Sequence, residues 1–249
     1  MPLVLQKSLP FDPFSRPRLP GITPLGDEDW LIRDDAFAQQ MAIRDSLIAT
    51  RRQEVIQMDD RAWEAAQELL DEVLLEIGAA GHSRVMRRDG QEVAVDRSDP
   101  LGSLGRLVQE DFCLLEKSGD EHVLVGAVLC FPAGWTLSEK FLRPLTRIHA
   151  PVKSYDDGIS RRVQRLFDGV QAGRPLLRCN ALWYSDPTLF QPRKEAVDHP
   201  ARKSEVTRFF RSERQVVRRL ARTGAVVFSI HTFMLRAEDV PHPAGAADG

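Results

Sequence analysis

Two strand-like runs joined by a tight turn most limit what this chain can become. Leu107-Val-Gln-Glu-Asp-Phe-Cys-Leu-Leu-Glu116 reads as a strand, Ser118-Gly-Asp-Glu121 as a turn, and His122-Val-Leu-Val-Gly-Ala-Val-Leu-Cys-Phe131 as a second strand. Together they form an antiparallel hairpin. The second run is apolar enough to be buried on both faces, so it needs cover on two sides rather than a wet face. Gly126 inside it marks a bulge or a close packing contact.

Helices are available as cover. Helical character begins at Asp34-Asp35, which can cap an N-terminus, and continues to about Gln57. A second helix is expected over 59–77, with Trp63, Ala66, Leu70, Val73, Leu74 and Ile77 at helical spacing and Gly78 in the C-cap position. Asp89-Gly90 and Asp99-Pro100 mark turns. Beyond the hairpin, Ile159, Val163, Leu166, Phe167 and Val170 define an amphipathic helix ended near Gly173.

Residues 176–184 read as a strand with Arg178 and Asn180 on one face and Cys179 on the other. A proline-punctuated loop over 186–205 leads to a short strand over 207–212. A helix is expected over 213–222, carrying Arg218, Arg219 and Arg222, and a last strand over 225–233. The fold class is α+β: a mostly antiparallel sheet with flanking helices and an N-terminal helical extension. Six of the sixteen prolines fall in residues 1–29, which predicts an extended arm; 30–239 form one domain and 240–249 a loose tail.

Composition removes several classes of function. A net charge of −2 gives no overall nucleic-acid or acidic-membrane signature, and no run of 18 apolar residues exists to cross a bilayer. The first residues lack the basic and long apolar segments of a secretory signal. Cys113, Cys130 and Cys179 are odd in number and widely spaced, the profile of a reducing, cytosolic compartment without disulfides, zinc or an iron–sulfur cluster. Glycine-rich phosphate loops, HExxH and GxSxG are absent.

The residues that carry chemistry gather around the segment 131–152. Pro151 restricts Ala150, so a helix from about Pro144 ends at His149. There one ring nitrogen can bond a backbone carbonyl while the other faces a metal; a structural histidine is the plainer reading. His231, on an expected buried strand, is a second pocket histidine. Arg178 with Asn180, and Arg214 beside Glu213, are polar groups in buried-looking segments. They fit either an internal Arg–Glu pair or the grip on a carboxylate-bearing ligand. Glu213 suits an anionic site for an amine or a proton relay. Tyr155 is a further catalytic candidate, and with Trp135, Trp183 and Tyr184 it offers either a cation–π cage or core packing.

Trp30, Phe131-Pro-Ala-Gly-Trp135, Arg143-Pro-Leu, Ile148-His-Ala-Pro-Val152, Arg178-Cys-Asn180, Arg211-Ser-Glu-Arg-Gln215 and Gly224-Ala-Val-Val-Phe228 occur in one order. In that order the chain resembles the α-subunit family of heme-dependent oxidative N-demethylase, over roughly residues 20 to 235. The resemblance implies a PAS-like core binding heme b, with His149 as axial metal ligand, and Arg178, Asn180, Arg214 and His231 as cofactor-binding candidates. It implies oxidation, with dioxygen, of a methyl group on a small amine such as dimethylamine, releasing formaldehyde. It further implies reductase partners carrying flavin and an iron–sulfur centre, and tetrahydrofolate as formaldehyde acceptor. A non-catalytic heme or small-ligand PAS sensor, capped by His149 and His231, is the alternative, and a stand-alone interaction domain a third reading. The chain departs from the family pattern at Lys153-Ser154, where Pro-Gly is usual, and at His231, where an arginine is expected.

Overall fold

In the computed structural model, which describes residues 3–14, 21–149, 157–195 and 208–240, the chain opens with β1 (Thr23–Pro24), α1 (Phe37–Thr50) and α2 (Arg52–Val55). It continues through β2 (Ile56–Met58), α3 (Trp63–Glu76), β3 (Arg84–Met86), β4 (Glu92–Ala94) and α4 (Pro100–Leu107). The hairpin is β5 (Asp111–Ser118) and β6 (Glu121–Val128). Three helices follow, α5 (Leu137–Lys140), α6 (Leu145–His149) and α7 (Asp157–Gly169). The chain then adds β7 (Leu176–Cys179), β8 (Leu182–Tyr184), β9 (Phe209–Arg219) and β10 (Val226–Arg236).

One eight-stranded sheet runs β1-β7-β9-β10-β5-β6-β2, with β8 also on β9, and every pairing is antiparallel. The fold is α+β, as the sequence predicts. The hairpin is present, and its register slips between Leu114 and Leu115, opposite Gly126, so the glycine does mark an irregularity. β6 lies between β5 and β2.

Side chains alternate across the sheet and two apolar layers result. One face presents Phe112, Leu114, Val216 and Val227 to α1, α3 and α4, through Leu47, Leu70, Val73 and Leu104. The other presents Cys113, Leu115, Ala127, Val217 and Ile230 to Leu137, Leu145, Phe167 and Val170 of the later helices. On α3 the stripe Ala66, Leu69, Leu70, Val73 and Leu74 is at most 1% exposed, each leucine or valine contributing roughly 1.5–3 kcal/mol by leaving water. Gly78 caps the helix with φ +72°, as its position predicts. Trp63 turns outward instead of joining the stripe, and Ala62 and Ala65 fill the core beside it.

Four elements differ from the sequence reading. Asp99-Pro100 opens a helix rather than a turn: Asp99 accepts a bond from the Gly102 N–H and Pro100 takes the first helical position. That helix consumes Leu107, so β5 begins at Asp111. Residues 56–58, expected as the end of a helix, pair with β6. Residues 213–219, expected as helix, belong to the eleven-residue strand β9, paired along its length with β10. Finally, the proline-rich arm packs where it is described. Val4, Gln6 and Leu25 are buried, and Phe11 meets Phe233 edge-on at 5.5 Å.

Candidate functional site

α6 is held against the sheet edge by bonds from both sides. Leu142 N donates to Leu124 O at 2.9 Å, and Leu124 N donates back to Arg143 O at 3.1 Å. Leu142 is the one described non-glycine residue with positive φ, 58°, a strained turn fixed by those two bonds. Lys140 Nζ donates to Ile148 O at 2.8 Å and to Glu195, and Arg147 Nη2 meets Glu195 Oε2 at 2.8 Å. Hydrogen bonds from Arg147 and Lys140 hold the Glu195 carboxyl down to about 2.

His149 stands at the last turn of that helix. Its Nδ1 lies 2.9 Å from Leu145 O, which makes Nδ1 the protonated nitrogen and gives Nε2 the lone pair. Burial depresses the imidazole pKa, and the charges of Lys140 and Arg178 add to this, against the Leu145 bond. The ring is therefore held neutral, the state in which a histidine binds a metal. Arg178 is thus brought into the electrostatic neighbourhood of His149.

Arg178 belongs to a polar stripe on the α5–α7 side of the sheet. In register, Arg178 opposes Gln215, and Glu213 opposes Thr232; Asn180 N donates to Glu213 O at 3.1 Å. Arg211, Glu213 and Gln215 alternate along β9 and so share this face. Glu213 Oε1 accepts from Arg211 Nε at 3.3 Å and Nη2 at 3.2 Å, and Oε2 accepts from Asn180 Nδ2 and Gln215 Nε2, each at 2.9 Å. Four bonds fill the capacity of a carboxylate. Asn180 Oδ1 in turn accepts the Glu213 N–H at 2.8 Å. Arg211, fully buried, reaches on to Leu189 O and Phe131 O. Glu213 and Asn180 therefore lock one another, with Arg211 as the internal ion-pair partner.

Three polar atoms on this same face are buried with no hydrogen-bond partner among the described residues: Arg178 Nε, Gln215 Oε1 and Thr232 Oγ1. Leaving a buried donor or acceptor unpaired costs roughly 1–3 kcal/mol each, so these three in adjacent strands are the atoms of this face with capacity for a further partner. Burial also depresses the Arg178 pKa, with Glu213 acting in the opposite sense. Tyr184 joins the group from β8: burial raises its phenol pKa, Arg211 opposes that, and Glu213 adds to it.

The other expected residues lie elsewhere. Arg214 projects from the opposite face, where its Nη atoms donate to Trp30 O at 3.1 Å and Asp29 O at 2.7 Å. His231 is across the sheet from Arg214 in register, with Nδ1 2.9 Å from Glu110 Oε1 and Nε2 3.1 Å from Asp34 Oδ2. Burial disfavours its charged form, but the two carboxylates outweigh that and raise its pKa to about 9. A protonated ring bonded at both nitrogens is not placed to share a ligand with His149 on the other face. Tyr155 lies outside the described residues. Sequence reasoning put the 212–215 segment in the pocket wall but missed Arg211 and Thr232; reading 211–215 as strand rather than strand-then-helix would have put Arg211, Glu213 and Gln215 on one face.

The site thus brings together one neutral imidazole, one buried guanidinium whose Nε has no partner among the described residues, and two further buried polar atoms in the same condition. Among the described residues no three His, Cys, Asp or Glu side chains converge to hold a bare metal ion. A hollow of about 420 Å³ at the outer edge of β7 is lined by Pro24, Gly169, Val170, Arg174 and Leu176, among others, and takes in none of the polar stripe. No described helix is long and apolar enough to cross a membrane.

The family model for haem-dependent oxidative N-demethylase, alpha subunit-like, matches residues 21–247. The chain belongs to that family.

Proposed function

We propose that this family member is the heme b-binding subunit of an enzyme that oxidatively removes a methyl group from a small amine such as dimethylamine. The family name carries heme dependence, N-demethylation and a multi-subunit enzyme. The observations on this chain that support the reading most are the atoms Arg178 Nε, Gln215 Oε1 and Thr232 Oγ1, buried with no hydrogen-bond partner among the described residues, and the neutral, oriented His149, whose imidazole feels the Arg178 charge. These residues fit a heme: a single imidazole for iron and a guanidinium for a propionate.

In one turnover an N–CH3 group, dioxygen, two electrons and two protons become N–H, formaldehyde and water. A bound heme would supply the oxygen activation, and flavin and iron–sulfur partner subunits would supply the electrons. The chain's own part is positional. His149 Nε2 would hold the iron, and the Leu145 carbonyl fixes the plane of the ring. Arg178 binds a propionate. Gln215 Oε1, whose amide nitrogen is committed to Glu213, accepts an N–H of the bound amine. Glu213 offsets the positive charge of Arg211 and Arg178 and keeps Asn180 and Gln215 in place, so it acts as a positioning residue. Leu137, Leu145 and Phe167 form an apolar layer on the same side of the sheet as these residues.

Hemin and its dimethyl ester, which lacks propionate charge, separate this reading from simple hydrophobic uptake. Arg178→Ala should weaken hemin binding by about tenfold or more, the worth of a charge-assisted bond, and leave ester binding unchanged. Equal hemin affinity in wild type and variant would remove Arg178 from the site.

A further inference from the structure

α7 turns Val163, Leu166, Phe167 and Val170 onto the sheet. That sets Arg161, Arg162 and Arg165 on its outer side, three and four residues apart, where helix geometry makes neighbours of them. All three are exposed, as is Arg143 just before α6. None of the four has a carboxylate partner among the described residues. Two nearby carboxylates are already matched: Lys117 holds Asp168 at 2.6 Å and Arg147 holds Glu195.

Residues 141–169 carry six basic side chains against three acidic ones, in a chain of net charge −2. Like charges at helical i, i+3 and i, i+4 spacing repel one another, and an acidic partner on this face relieves that repulsion. It lies next to the helix that bears His149: Ile148 of α6 and Val163 of α7 pack in one cluster.

We propose that this arginine face docks the acidic surface of an electron-delivering iron–sulfur protein. Arginine suits such a contact because its weakly hydrated guanidinium pairs carboxylates in a fixed fork, and opposite charge steers encounter. An anionic membrane fits less well. A surface-bound helix must bury an apolar face in lipid, and the apolar face of α7 is already spent on the sheet. The electron-delivery half of the inference rests on the function proposed above; the docking half does not.

The test uses the full chain and a variant carrying R161E, R162E and R165E. All three sites are exposed, so the variant's thermal melt should match wild type. A fluorescently labelled acidic [2Fe–2S] ferredoxin is the probe. Anisotropy at low salt should show binding weakened about tenfold or more by the variant, and similarly at about 0.5 M salt, where charges are screened beyond a few ångström. Stopped-flow reduction of the hemin-loaded chain by reduced ferredoxin should slow in parallel, while reduction by dithionite stays unchanged.

Equal ferredoxin affinity in both proteins overturns the inference. So does variant-sensitive binding to phosphatidylserine vesicles without ferredoxin binding, which would make the face a lipid contact. If variant-sensitive docking is seen in a chain that takes up no hemin, the function proposed above fails and the docking surface stands. A normal heme spectrum with charge-insensitive ferredoxin binding removes the docking surface alone.

Discussion

His231→Gln exchanges a buried cation for a neutral amide between two carboxylates, and its effect can be worked from the structure. The imidazolium is 1% exposed and bonded to Glu110 and Asp34, with Gln109 and Gln6 completing the shell around Asp34. Arg214 flanks it on β9, and Arg44 donates to the Glu110 backbone. Against desolvation, the two carboxylates raise the histidine from 6.5 to about 9, a difference on the order of 3 kcal/mol in favour of the folded chain. The folded pKa lies above the unfolded one, so this stabilisation is complete below about pH 6.5 and is lost as pH rises through about 9. Asp34 behaves oppositely: burial works to raise its pKa, the His231 bond and charge outweigh it, and the net value falls below 3.8. Its contribution is present above that value and lost as pH drops. Urea unfolding at pH 6.5 and near pH 10, followed by tryptophan fluorescence, reads the effect. The variant should be about 3 kcal/mol less stable at the lower pH, and the gap should close at the higher one. A gap independent of pH, or none at pH 6.5, would refute the buried imidazolium.

Two further substitutions test the packing that holds the site. Arg44 and Asp111 form a buried pair at 2.6 Å, and Asp111 also accepts the Cys130 and Phe131 N–H groups; Asp111→Ala strands the guanidinium and should cost about 3–5 kcal/mol in urea unfolding. On α4, a Cβ at Gly105 would stand 2.7 Å from Val128 Cγ2 and 2.8 Å from Ile48 Cδ1. Gly105→Ala should therefore destabilise by about 1–3 kcal/mol, seen as a drop of roughly 2–4 °C in Tm per kcal/mol.

The hairpin and the α3 stripe were legible because each carries a local signal, period two or period 3.6; the helix bearing His149 is present too, while the proline expected to end it lies outside the described residues. Asp99-Pro100 was ambiguous by nature, since the same dipeptide opens turns and helices, and only the contacts of Leu101 and Leu104 with the core decide. β9 was hidden by its own burial. Its two faces are polar and apolar in turn, with Arg211, Glu213 and Gln215 on one and Ser212, Arg214, Val216 and Arg218 on the other, so neither alternation nor a helical stripe stands out. Pairing with β7, β8 and β10 supplies what the local sequence does not. That error joined Glu213 to Arg214, whereas the strand puts them on opposite faces. The role of His231 was hidden because its partners, Asp34 and Glu110, are 197 and 121 residues away.

The central claim is a heme held at His149, and the visible spectrum of the hemin-reconstituted protein beside its His149→Ala variant tests it most directly. The account predicts a sharp Soret band in wild type that is lost or shifted in the variant. No band in wild type, or one left unchanged by the substitution, would contradict it.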